Sequence, residues 1–297
     1  MQLYTIDTGY FKLDGGAMFG VVPKSIWNRL QPADSNNLCT WAMRCLLIED
    51  GKKLMLIDTG IGDKQDEKFL SHYYLHGDAS LKNSLAVHGF TPDDITDVFL
   101  THLHFDHVGG SIIRENGKLV PAFKNAIYWS NDSHWKHAMT PNPREKASFL
   151  RENIMPIMES GQLQFAGPQV FQNKTDLGWE ANLSSEPPYI YFTDNIKIRL
   201  VNGHTQSMML PQITYKEKTI VYMADLLPST SHLPMPYVMG YDINPLRTMI
   251  EKDNFLKEAL ANDFILFFEH DPKHECCTLR ETEKGIRESA VFKLSEI

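Results

Sequence analysis

Short apolar runs broken by turn residues dominate the first sixty positions and mark strands. Met1-Gln-Leu-Tyr-Thr-Ile-Asp7 opens as one. Cys45-Leu-Leu-Ile48 and Lys53-Leu-Met-Leu-Ile57 flank Glu49-Asp50-Gly51, the pattern of a hairpin. Residues 79–89 predict a helix with Leu81, Leu85 and Val87 partly on one face, stopped by Gly89. Thr91-Pro92-Asp93-Asp94-Ile95 predicts a short helix capped by Thr91, with Pro92 at its first position. Strands follow at Asp97–Leu100 and Ala126–Trp129, and a helix over 144–159.

Residues 160–190 are rich in Gly, Pro, Asn and Ser and read as loop or hairpin material. Ile196–Val201 alternates apolar and polar positions, as a half-buried strand does. Gln212–Tyr215 and Thr219–Met223 bracket Lys216-Glu217-Lys218 as a second hairpin. Residues 228–245, with four prolines, form a long irregular loop. A helix over 246–261 and a strand over 264–268 complete the series. Strand-rich halves with helices between them, and no linker, predict one domain over 1–297: two packed sheets with helices outside, an α/β (α+β) architecture.

The motif at 101–110 changes the picture. Thr-His-Leu-His-Phe-Asp-His-Val-Gly-Gly places His102, His104, Asp106 and His107 within six positions. Imidazole and carboxylate together suit zinc and other borderline divalent ions. At a strand end, His102 and His104 point the same way, and the following turn carries Asp106 and His107 to a second point nearby. Two metals need more ligands, and three further candidates each follow an apolar strand: His204, Asp225 and His270. His102, His104 and His204 then hold one ion, Asp106, His107 and His270 the other, and Asp225 bridges them. Asp58, ending a strand, accepts the outward N–H of a ligating histidine.

Composition narrows the partners. Lys and Arg number 29 against 37 Asp and Glu, a net charge of −8, with no basic run of the kind that tracks nucleic acid. No apolar stretch is long enough to span a bilayer, and the N-terminus reads as a strand, not a signal peptide, which predicts a cytoplasmic enzyme. Four cysteines are too few for a disulfide framework; Cys39 and Cys45 are expected as free thiols. His274 beside Cys276-Cys277 is not expected to bind metal, since adjacent cysteines point apart. His72, His76, His88, His134 and His137 are expected at the surface.

The ordered set Leu56-Ile-Asp-Thr-Gly60, Leu100–Gly110, Gly203-His204-Thr205, Ala224-Asp225 and His270 resembles the metallo-β-lactamase superfamily of hydrolases. The resemblance implies a four-layer αββα sandwich and two divalent ions, zinc first and iron, manganese or cobalt as alternatives. His104 stands where flavodiiron proteins carry a glutamate, which favours zinc over redox iron. Phe19–Trp27, Asn37–Arg44, Ala224–Pro234 and Met239–Asp242 look like the branch of N-acyl homoserine lactonases and methyl parathion hydrolase. That branch implies a small ester or lactone substrate; attack by a bridging hydroxide with proton transfer by Asp106 is the expected mechanism, and a homodimer the candidate assembly. Another ester (phosphotriester, aryl ester or thioester) is the alternative substrate. Some lactonases place a tyrosine three residues after the bridging aspartate; here Pro228 stands there, so His232, Tyr222 or Tyr237 is the candidate donor. Met18, Phe19, Trp27, Trp129, Trp135, Met139, Met235 and Met239 are candidate pocket residues for an acyl chain.

Overall fold

The computed structural model describes residues 1–167 and 189–297. The first half builds one sheet from β1 (Gln2–Asp14), β2 (Leu38–Asp50), β3 (Lys53–Ile57) and β4 (Asp97–Phe99). A small hairpin, β5 (Ile112–Glu115) and β6 (Lys118–Pro121), intervenes before β7 (Ile127–Ser130) and β8 (Leu163–Phe165) extend the sheet. Its order is β1-β2-β3-β4-β7-β8, antiparallel through β3 and parallel from there on. The second half supplies β9 (Tyr189–Tyr191), β10 (Ile196–Val201), β11 (Met208–Tyr215), β12 (Lys218–Tyr222), β13 (Ile265–Phe267), β14 (Cys276–Thr282) and β15 (Gly285–Phe292). These pair in sequence order, with only β12 and β13 parallel.

The apolar run in β2 is continuous because both faces of its sheet are covered. Leu46 and Ile48 join Met55, Ile57 and Phe99 in a core shared with Ile198, Leu200, Met208, Leu210 and Val221 of the second sheet. Cys45 and Leu47 point the other way, into a core with α4 (Leu81–Val87), α6 (Asp132–Met139) and α7 (Arg151–Glu159). On the far side of the second sheet, α8 (Pro245–Ala261) packs Phe255, Leu256 and Ala259. The layers are therefore helix, sheet, sheet, helix: the expected αββα sandwich.

Both predicted hairpins form. Lys216 and Glu217 turn the second with φ of 47° and 63°, the doubly positive pair a two-residue hairpin loop requires. The short helix at Pro92–Asp94 is a single 3-10 turn, closed by Thr91 and Asp94.

Several expectations fail locally. Val87 is 81% exposed, because the seven-residue α4 turns Leu85, and partly Leu81, to the sheet. The helix expected from 144 starts at Arg151; Asn142 instead accepts the N–H groups of Arg144 and Glu145 and holds them in a turn. Arg199, expected at the wet face of β10, is buried under α8 and paired with Glu258. Most of the 160–190 loop falls outside the described residues, though its flanks, β8 and β9, are strands.

Candidate metal centre

Four of the site's strands deliver their functional residue at the same offset. Phe99 ends β4, Val201 ends β10, Tyr222 ends β12 and Phe267 ends β13; His102, His204, Asp225 and His270 each lie three residues further on. All four strand ends face one seam between the sheets. Backbone bonds close that seam: Met209 N–H to Thr101 O at 2.9 Å, Arg44 N–H to Glu269 O at 3.0 Å. The one-turn helix α5 (Phe105–Val108) adds Asp106 and His107.

The seven predicted side chains converge, all buried, in two groups. His102, His104, His204 and Asp225 form one; Asp106, His107 and His270 form the other; within each, one ligand atom per residue lies within 4.8 Å of the rest. His104 Nδ1 is 3.1 Å from His204 Nε2, and His107 Nε2 is 3.2 Å from His270 Nε2. Asp225 stands between them, with Oδ2 3.0 Å from His204 Nε2 and Oδ1 3.2 Å from His270 Nε2. Asp106 Oδ2 is 3.8 Å from His270 Nε2 and 3.9 Å from His107 Nε2.

Four of the five imidazoles are hydrogen-bonded from behind, which fixes which nitrogen faces inward. His270 Nδ1 donates to Ala42 O at 2.7 Å, and His204 Nδ1 to Asp242 Oδ1 at 2.8 Å. His102 Nδ1 meets Thr101 Oγ1 at 3.0 Å, and Thr101 donates onward to Asp58 at 2.7 Å. His107 Nδ1 faces Asp58 Oδ2 at 3.1 Å and Glu269 Oε2 at 3.0 Å. Asp58 thus reaches a histidine as the sequence predicts. Its φ of +56°, and +40° at Ala224 beside Asp225, are uncommon for non-glycine residues.

The electrostatics ask for positive charge. Burial alone would lower the His204 and His270 pKa values, yet Asp225 and its neighbours lift them to about 10 and about 9. His107 is likewise raised, against burial, by Glu269, Asp106 and Asp225. Burial resists the charge on Asp225, but His204, His270 and His107 hold its pKa well below the usual range. His102 is driven the other way, by burial and the adjacent imidazoles. His102 Nε2 and Asp225 Oδ1 are buried without a hydrogen-bond partner, both turned toward the centre. Inward lone pairs and a surplus of carboxylates are what divalent cations satisfy, so these residues fit two ions.

The loop bearing His204 is anchored by α8. Glu251 accepts the N–H groups of Asn202 and Gly203 at 2.9 Å each. Gly203 is obligatory: a Cβ there would lie 2.3 Å from Thr248 Oγ1 and 2.4 Å from Thr248 N.

Above the centre opens a cleft of about 290 Å³ whose lining includes Met18, Tyr73, Arg144, Glu145, Met239 and Tyr241. Of the residues expected to face substrate, only Met18 and Met239 do so. Phe19 and Trp27 pack beneath, Trp135 joins the outer core, and Trp129 donates to Asp97. His232 is a correction: it stacks on Phe19 at 4.8 Å, 1% exposed, with Nε2 on Met18 O and Nδ1 on Ser229 Oγ, both 2.9 Å, and is absent from the cleft wall. Tyr222 is buried and donates to Arg44 O; Tyr237 packs edge-on against Phe19.

His134 is a second correction. It is 1% exposed and accepts the N–H of Leu103, between two candidate ligands, at 2.9 Å. Burial keeps it neutral, with a pKa pushed down to about 3. Glu269, Asp242, Tyr73, Tyr241 and Arg144 were missed in sequence; Glu269, beside His270, carried the nearest signal. Among the described residues, His274, Cys276 and Cys277 belong to no metal-binding group, and all four cysteines are unpaired.

Residues 44–177 match the family described as the metallo-beta-lactamase superfamily. That stretch is just under half of the chain, and with the αββα architecture it makes the chain similar to the metallo-β-lactamase superfamily. Within it, an N-acyl homoserine lactonase of Bacillus thuringiensis subsp. kurstaki is 30% identical over 165 residues, 52% of this chain. The alignment spans about half of that relative's length, 56%. A probable metal-dependent hydrolase of Staphylococcus aureus superposes with a TM-score of 0.83 at 26% identity, covering 98% of this chain and 96% of its own. A structure described as a dizinc quorum-quenching lactonase with bound product, AidC, gives 0.72 at 22% identity over 98% and 95%, a likeness of fold. No helix among the described residues is long and apolar enough to cross a membrane.

Proposed function

We propose that this chain is a single-domain, binuclear zinc hydrolase that opens the ring of N-acyl homoserine lactones. The observation that carries the binuclear reading is Asp225, which stands between the two groups with Oδ2 nearest His204 and Oδ1 nearest His270, Oδ2 also lying 3.6 Å from His107 Nε2. His102, His104 and His204 would hold one ion and Asp106, His107 and His270 the other. Lactonase relatives support the substrate class.

Two bound ions would acidify water toward neutral pH and polarise the ester carbonyl. The chain supplies the rest. Asp106, at the cleft floor, is placed to carry a proton to the leaving ring oxygen. Tyr73 and Tyr241 keep their hydroxyls protonated: burial raises both, Tyr73 to about 12. They can therefore donate to a carbonyl, the role that Pro228 cannot fill. Leu13, Met18, Phe105 and Met239 offer an apolar wall to an acyl chain and exclude water from it.

The test is hydrolysis of lactones of graded acyl length by zinc-loaded protein, beside a phosphotriester, an aryl ester and a thioester. Lactone turnover dominating the panel supports the reading. Two bound ions with turnover confined to another ester keeps the hydrolase and rejects the lactonase.

A further inference from the structure

The turn Asn142–Glu145 stands where the sequence predicts the start of a helix, and it reaches the centre twice. Glu145 is 3% exposed and lies at the cleft's base. One oxygen accepts from Thr205 Oγ1 at 2.5 Å; the other takes His137 Nε2 and Asn142 Nδ2, both at 2.9 Å. The Thr205-bound oxygen also lies 3.7 Å from His104 Nε2. That nitrogen is buried and has no hydrogen-bond partner. His104 differs from its neighbours in turning Nδ1 inward, so its proton sits on Nε2, toward Glu145. Arg144 works beside it: its guanidinium donates to Gly240 O and, at 3.2 Å, to Asp242 O, the residue whose carboxylate orients His204.

We infer that Glu145 is a positioning residue for the His104–His204 half of the centre, fixing the His104 ring by charge from behind while the Asn142–Glu145 turn ties that half to the wall of the cleft. This rests on the metal-binding reading above. Asp58 and Glu269 serve His107 in the other half; without Glu145, His104 would be the one candidate ligand with no acceptor behind it.

The test loads wild-type protein, Glu145→Gln and Glu145→Ala with zinc and measures the affinity of each ion by competition with a chromophoric chelator. Visible spectra of the cobalt forms and urea unfolding of the chelated proteins accompany it. Glu145→Gln keeps the size and can still accept from Thr205, but it lacks the charge. Expected is a roughly 10- to 100-fold weaker binding of one ion, with the second ion and the unfolding midpoint of the chelated Gln variant close to wild type. One cobalt environment should change and the other persist. Unchanged affinity for both ions in both variants overturns the inference. So does equal weakening of both ions in step with lost stability, which marks a merely structural carboxylate. Wild-type protein that takes up no ion fails the parent reading instead.

Discussion

Asp225 and His270 meet across strands that run parallel: Oδ1 of one lies 3.2 Å from Nε2 of the other, three residues past the paired ends of β12 and β13. Parallel pairing in register puts both side chains at one height above the sheet. The carboxylate's second oxygen then reaches His204 on the loop after β10. Asp225→Asn keeps the shape and removes the charge that would join two cations. It should lower kcat by at least ~100-fold and reduce bound metal from two equivalents toward one, as read by metal analysis of the purified variant. Two equivalents at undiminished affinity would refute the bridging role.

Removing the metal should destabilise the protein. The inward groups repel or compete once no cation lies between them, and any ligand that binds only the folded state adds stability. Zinc at 100 times its dissociation constant contributes about 2.7 kcal/mol per site. The midpoint of thermal unfolding should therefore fall by several degrees on chelation and return when zinc is restored. A melting curve indifferent to chelator would contradict it.

Lys252 predicts a pH effect at a group that is not one of the candidate ligands. It is wholly buried on α8, donating to Pro234 O at 2.7 Å and Tyr237 O at 3.1 Å. Burial lowers its pKa from 10.5 to about 7. Between those values the unfolded chain binds the proton more tightly than the native one, so this group's contribution to stability rises with pH from about 7 to 10.5. Below 7 the burial penalty is fully present. Lys252→Met removes the titration. The stability deficit of this variant should thus be smaller at pH 6 than at pH 9, by urea unfolding; a deficit independent of pH would count against it.

Gly203→Ala tests how tightly α8 seats the His204 loop. The new methyl would collide with Thr248 backbone as well as side chain, so helix and loop must part. The expected cost is ~1–3 kcal/mol, with weakened metal uptake because His204 moves with its neighbour. Unaltered stability would show the contact to be looser than drawn.

Much of the centre was legible because its ligands sit in one dense motif and after apolar strands, both local patterns. His102, His104, Asp106 and His107 announce themselves by spacing, and His204, Asp225 and His270 by following buried runs. What escaped reading depends on contacts between distant segments. Arg199 looks solvent-facing until α8 covers it. His134 looks like a surface residue until its helix turns it toward Leu103. His232 looks available until Phe19 and Met18 O claim it. Glu145 lies in a stretch whose helical periodicity is overridden by Asn142, and no local pattern marks a carboxylate that acts forty residues away on His104.

The closed seam between the sheets carries one more consequence. Each sheet owns part of the same candidate centre, so a slip of one layer over the other by a single side chain's width would separate partners about 3 Å apart, His104 from His204 and His107 from His270. Core substitutions at Leu46, Phe99 or Leu210, remote from any reacting atom, are therefore also adjustments to the alignment of the chemistry.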